Sequence, residues 1–176
     1  MKSSLKLTFS AIMASLATVT MLLSFFPYLT YAVPAVAGLF IMVVVIEIDK
    51  KYALLSYVAS SFLVFLFAEN ESKLMYIFLL GYYPILKAVI DKKTGKVLQW
   101  ILKIITFNIS VLLVYFVFAS LFGVDVESFG TFGKFSAVIF LIFGNFVFVL
   151  YDITVSKMAM FYIYKLQPKI RKIFRF

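Results

Sequence analysis

Leu74-Met75-Tyr76-Ile77-Phe78-Leu79-Leu80-Gly81-Tyr82-Tyr83-Pro84-Ile85-Leu86-Lys87-Ala88-Val89-Ile90-Asp91 is apolar almost throughout and carries its own break. Its length suits a helix crossing a hydrocarbon core of ~30 Å. Pro84 has no N–H to offer the carbonyl of Leu80, and its ring crowds that carbonyl. Gly81 lies in the same turn and adds no side chain to stiffen it. A kink at Gly81 and Pro84 is therefore predicted. In a bilayer the freed carbonyl needs another partner within the protein. Lys87 adds a charge one turn further on.

The rest of the chain repeats the apolar pattern. Of 176 residues, 64% are hydrophobic and 14% charged, against roughly 45–50% and 25% in soluble domains. A soluble fold of this size cannot hide that much apolar surface. The prediction is an all-α polytopic membrane protein, a bundle of six transmembrane helices over residues 1–166. The spans fall at about 7–26, 31–48, 52–67, 74–90, 97–122 and 135–156, followed by a basic tail over 167–176. The pattern of the sixth span continues past Lys157 toward Leu166. Pro34 fits the first turn of the second span, where a missing N–H costs little. Trp100 and Lys103 are expected as interface anchors. Residues 1–32 also carry the marks of a secretory signal peptide: a basic start, an apolar middle and Thr30-Tyr31-Ala32 as a small-x-small exit. The apolar run is longer than the ~7–15 residues usual there, and retention as a span is the expectation.

The net charge of +9 is a topology signal. With six spans, fifteen of the 17 Lys and Arg residues fall on the side of the two termini, leaving Lys73 and Lys134 on the other. Basic loops stay inside, so both termini are predicted in the cytoplasm, in a bacterial plasma membrane. The tail is suited to anionic lipid headgroups. No basic folded domain is present to read nucleic acid.

Several function classes lose their chemistry. The chain has no His and no Cys, which removes the commonest general base and the usual zinc ligands. No phosphate loop, H-E-x-x-H or G-x-S-x-G motif occurs. No two carboxylates pair within a span as an acid–base dyad requires. No enzyme, metal or cofactor is expected.

What remains is a short set of polar groups at depth, where such groups are expensive and informative. Tyr82, Tyr83, Asn108 and Asn145 are candidates for contact with a small solute; the two Asn residues serve equally as links between helices. Asp152 shares a helix face with Asn145, seven residues on. With a rise of ~1.5 Å per residue, Lys87 lies ~7 Å and Asp152 ~10 Å from their span midpoints, toward the same side. Equal depth and opposite sign predict an ion pair between the fourth and sixth spans. The other reading of Lys87 is a side chain that snorkels alone to the interface. Ser10, Ala14 and Thr18 recur every fourth residue on the first span, with Ala11 beside them, and Ala53, Ser56, Ser60 and Ser61 line the third. Such faces let helices approach closely, within this chain or against a partner. The loop 123–133, with Gly123 and Gly133 at its ends and Phe129 and Phe132 between, suits a lid or a plain connector.

Pro34-Ala35-Val36-Ala37-Gly38-Leu39, followed by Glu47-Ile48-Asp49-Lys50-Lys51-Tyr52-Ala53-Leu54, resembles the second span and the turn into the third of the substrate-binding S components of energy-coupling factor vitamin transporters. The six short helices with both ends inside, and the small residues of the first, are similar too. The resemblance implies uptake of a small solute. It implies docking of Ser10, Ala11, Ala14 and Thr18 on a transmembrane coupling subunit, and ATP hydrolysis by separate ATPase subunits. The other function the residues allow is a non-transporting membrane scaffold or assembly factor.

Overall fold

The computed structural model describes the backbone of residues 3–26, 28–122 and 133–174, and their side chains except 93, 115–122, 133–140, 173 and 174. The expected lid, loop 123–133, lies outside the described residues apart from the backbone of Gly133. The described chain is helical, with no strand. It runs α1 (Ser3–Leu22) with one 3-10 turn (Leu23–Phe25), α2 (Val33–Glu47), α3 (Lys50–Phe67) and α4 (Asn70–Met75). A π turn (Tyr76–Leu80) leads into α5 (Tyr83–Lys93), then come α6 (Lys96–Phe122) and α7 (Gly133–Phe161). A second π turn (Tyr162–Leu166) leads into α8 (Gln167–Phe174).

Five of these stretches are long and apolar enough to cross a membrane, counting Asn70–Lys92 as one. The sixth, α2, has 15 residues and spans only ~22 Å. The second span is thus shorter than the predicted 31–48. Tyr28 takes a positive φ of 73°, uncommon for a residue with a side chain, and the turn that follows occupies 28–32 before Pro34 starts the helix. At the other end Ile48 leaves helical geometry, and Asp49 caps α3 by accepting from the Tyr52 N–H at 2.9 Å. The predicted tail is helical over 167–174: α7, the π turn and α8 form one run of roughly 60 Å at ~1.5 Å per residue.

Although short, α2 is central. It touches α1, α3, α5 and α7, and Val33, Pro34, Ala37, Gly38, Ile41, Met42 and Val44 are buried. Phe62, Phe65, Ile105, Ile142, Phe146 and many other large apolar side chains point outward. An apolar exterior around a helical interior, whose backbone bonds lie within each helix, is what a bilayer, as solvent, demands.

The small-residue faces meet each other. Phe9, Ser10, Ala14, Ala17 and Met21 form the buried stripe of α1, and Ala53, Ser56, Ser60 and Val64 that of α3. The two helices pack closely enough for Ser56 Oγ to donate to the Ser10 carbonyl at 3.0 Å. Ser10 and Ala14 are therefore used inside the chain, the internal one of the two alternatives, and not for the docking that the resemblance implies. Thr18 is half-buried, its hydroxyl turned back to the Ala14 carbonyl at 3.0 Å. Only Ala11 of the predicted docking set faces outward.

At the end of the bundle away from Asp91, polar turns tie the helices. Tyr31 donates to Glu71 Oε2 at 2.7 Å, Ser72 to the Thr30 carbonyl at 2.6 Å, and the Glu69 N–H to Ser24 Oγ at 3.3 Å. The Glu71 carboxylate, accepting that hydrogen bond, pushes the Tyr31 hydroxyl pKa up.

Candidate functional site: the broken helix and its charge lattice

The fourth span does break where Gly81 and Pro84 predict. Tyr76–Leu80 is wound as a π turn, closed by the Gly81 N–H to the Tyr76 carbonyl at 2.8 Å. Residues 81–82 bend and α5 restarts with Pro84 in its first turn. A Cβ on Gly81 would sit 2.7 Å from the Tyr76 carbonyl oxygen, so a side chain there collides with backbone. The carbonyl that Pro84 leaves open is that of Leu80, and Tyr151 of α7 donates its hydroxyl to it at 3.1 Å. Gly38 of α2 makes room for that bond. A Cβ there would stand 2.8 Å from both the Leu80 oxygen and the Tyr151 hydroxyl. On the other side, Tyr57 of α3 donates to the Ile77 carbonyl at 2.5 Å. Two tyrosines from different helices thus supply hydrogen bonds to carbonyls of the irregular backbone.

One turn below the break lies a lattice of charge. Tyr83, Lys87 and Asp91 recur every fourth residue along α5, which places them on one face. Lys87 Nζ contacts Asp152 Oδ1 directly. Lys103 Nζ of α6 lies 3.2 Å from the same oxygen and 2.8 Å from Asp91 Oδ1. Lys87 is also 3.5 Å from Asp91 Oδ2, and the Tyr83 hydroxyl donates to Asp152 Oδ1 at 2.5 Å. Two cations and two anions balance, and they join α5, α6 and α7. The side chains of Lys87, Lys103 and Asp152 are 11%, 5% and 5% exposed, so only Asp91, at 38%, opens the lattice outward. Lys87 is thus paired and does not snorkel alone. Aromatic rings wall the lattice: Tyr83 meets Phe148 edge-on at 5.0 Å, and Phe107 stacks on Phe148 at 4.5 Å.

Lys103 and Asp91 are the members missed from sequence. Lys103 is 4% exposed, not an interface anchor as expected, because α6 turns it inward onto both aspartates. Asp91 lies within α5, beyond the predicted span end at 90. The available signal was its spacing of four from Lys87.

The four proposed solute contacts are all engaged inside the chain. Tyr83 is given to Asp152. Tyr82 OH and Ser110 Oγ of α6 are 2.5 Å apart. Asn108 and Asn145 exchange two amide hydrogen bonds of 3.1 Å across α6 and α7, and each also donates to the carbonyl four residues back at 2.8 Å. Neither the hollow along α1 nor the one at Asp49–Lys51 is lined by any of them. The Asn pair is half-buried and neutral. Asn145→Leu is accordingly expected to lower stability by only about 0.6 kcal/mol, the usual worth of one interhelical hydrogen bond in a bilayer. Reversible unfolding in mixed micelles measures it, and a loss above about 2 kcal/mol would mean that the pair does more than link helices.

No group of three or more metal-ligating side chains gathers among the described residues. Compared with known protein families, curated proteins and solved structures, the chain matches none.

Proposed function

We propose that this chain is a non-transporting membrane scaffold: a helical bundle in a bacterial plasma membrane, both termini in the cytoplasm, that holds another membrane protein through the outer face of α1. The observation that carries it is the internal use of every polar group expected to meet a solute. The membrane setting is supported by five to six helices of spanning character, and the sidedness by the Lys and Arg asymmetry. The α1 face has the chemistry a transmembrane partner helix needs. Thr8, Ala11 and Ser15 line a shallow groove of about 550 Å³ together with Leu7, Ile12, Leu16 and Val19. Thr8 and Ser15 return their hydroxyls to the carbonyls of Ser4 and Ala11 at 3.0 Å each. Small side chains with satisfied hydroxyls permit close helix contact in lipid.

A photo-crosslinking residue placed at Ala11 tests this in intact membranes. The expected result is one discrete crosslinked protein, lost when Ser15 is changed to Leu, while the same residue at Val58 on α3 gives lipid adducts only. Crosslinks at Ala11 to lipid alone would reject the scaffold reading.

A second reading has one observation in its favour. A helix broken near mid-membrane is a common element of solute sites in transporters, and Gly81–Pro84 is such a break. It fits an uptake subunit similar to an S component, working with a coupling subunit and ATPases. Native mass spectrometry separates the two. A small molecule other than a phospholipid retained by the purified chain, and lost in Tyr82→Phe, supports uptake; a chain carrying no adduct besides phospholipid supports the scaffold.

A further inference from the structure

Three cations with described side chains have an anion. Lys87 and Lys103 share two aspartates, and Arg171 Nε lies 3.1 Å from Glu47 Oε2. At the same end of the bundle, one group of cations lines a hollow. Val45 at the end of α2, Asp49, Lys50 and Lys51 at the start of α3, and Lys92 at the end of α5 line a hollow of about 490 Å³. Lys51 and Lys92 are exposed, and neither has an ion pair among the described residues.

The one acid in the hollow is committed elsewhere. Asp49 Oδ1 accepts the Tyr52 N–H at 2.9 Å and caps α3. Lys50 Nζ is pinned by the Ala88 carbonyl at 2.9 Å. That single bond fixes the ammonium at the junction of α3 and α5 and leaves it two further N–H donors. The hollow therefore presents three ammonium groups, one of them held in place, beside one apolar wall supplied by Val45. It lies where apolar helices give way to polar turns, the level of lipid headgroups in a bilayer.

We infer that this hollow binds the phosphate headgroup of an anionic phospholipid. Lys50, Lys51 and Lys92 contact the phosphate oxygens, and Val45 meets the apolar chain below them. Basic pockets between transmembrane helices on one side of a membrane recognise anionic headgroups in this way. The site is independent of the scaffold reading, since it uses neither the α1 groove nor the broken helix.

Native mass spectrometry of the detergent-purified full chain, titrated with phosphatidylglycerol or phosphatidylcholine, tests it. Phosphatidylglycerol adducts are expected on the wild type, with the paired change Lys51→Gln/Lys92→Gln weakening them about 25-fold, at roughly fivefold per basic residue. Lys51→Arg/Lys92→Arg should restore binding, which separates loss of charge from loss of fold. Lys169→Gln/Lys172→Gln, which removes two charges from α8, should leave the adducts in place. Three results would each overturn the inference: equal adducts with phosphatidylcholine, the same loss from the α8 variant, or displacement of the lipid by millimolar inorganic phosphate, which would identify a free-anion site.

Discussion

Asp152→Asn is expected to lower the unfolding free energy by about 3–5 kcal/mol, the cost of removing one partner from a buried ion pair. Asp152 Oδ1 receives Lys87, Lys103 and the Tyr83 hydroxyl. An amide in its place leaves two ammonium groups facing Asp91 alone, and Asp91 is the most exposed member of the lattice. The lysines are 9% and 4% exposed and cannot reach water without moving α5 or α6. Denaturation in mixed micelles, followed by tryptophan fluorescence from Trp100 on α6, reads the loss. Asp91→Asn should cost less, because Lys87 and Lys103 keep Asp152 and because Asp91 is partly solvated already. Equal losses for the two variants would mean that burial does not set the strength of the lattice.

Gly38→Ala is the second large effect, expected to cost about 1–3 kcal/mol as an overpacked core position does. The added Cβ would lie 2.8 Å from the Leu80 carbonyl oxygen and from the Tyr151 hydroxyl. Neither neighbour is the loose end of a flexible chain. The carbonyl is backbone, and Tyr151 is buried with its hydroxyl bonded. The variant must separate α2 from the break or lose the Tyr151 bond to Leu80. Tyr151→Phe removes that bond without adding bulk, and leaving a buried carbonyl unpaired costs about 1–3 kcal/mol. The combined Gly38→Ala/Tyr151→Phe variant should lose less than the two single losses together, since the phenylalanine gives the new methyl room. Strict additivity would show that Gly38 and Tyr151 do not act on the same joint. Thermal unfolding of the four proteins in one detergent makes the comparison.

These two joints show what could be read from the chain alone. The kink at Gly81 and Pro84 was legible because proline chemistry is local: one missing N–H and one open carbonyl. The donor to that carbonyl was not legible. Tyr151 lies 71 positions away, and nothing in its own neighbourhood marks it among the tyrosines of the chain. Lys87 with Asp152 could be matched from depth and sign, because a rise per residue converts sequence to height in a membrane. Height does not give azimuth. Lys103 stands near the start of its span, and only the rotation of α6 decides whether it points to lipid or to the aspartates. The same uncertainty affected Ser10 and Ala14. Their spacing announces a close-packing face but not which helix fills it, and α3 does. Tyr83 and Asn145 have polar ends that suit a solute as well as they suit a neighbouring helix. Only the packed arrangement assigns them. The span lengths follow the apolar runs, except where a turn takes residues from the start of α2 and where the basic tail continues as α8.

The arrangement is consistent across levels. Gly81 and Pro84 break a helix, Gly38 lets α2 approach the break, Tyr151 and Tyr57 serve the irregular carbonyls, and the lattice below ties the restarted helix to its two neighbours. A bundle built this way uses its polar groups for its own cohesion, which is the physical ground for reading it as a scaffold.

The most direct test of that account is the coupling between Lys87 and Asp152, measured by a double-mutant cycle of Lys87→Met and Asp152→Asn with reversible unfolding in mixed micelles. If the lattice holds α5 to α7, the double variant is more stable than the two single losses predict, with an interaction energy of about 1–3 kcal/mol. An interaction energy below about 0.5 kcal/mol would mean the two charges do not act on each other in the folded chain, and the lattice would not be what holds the bundle.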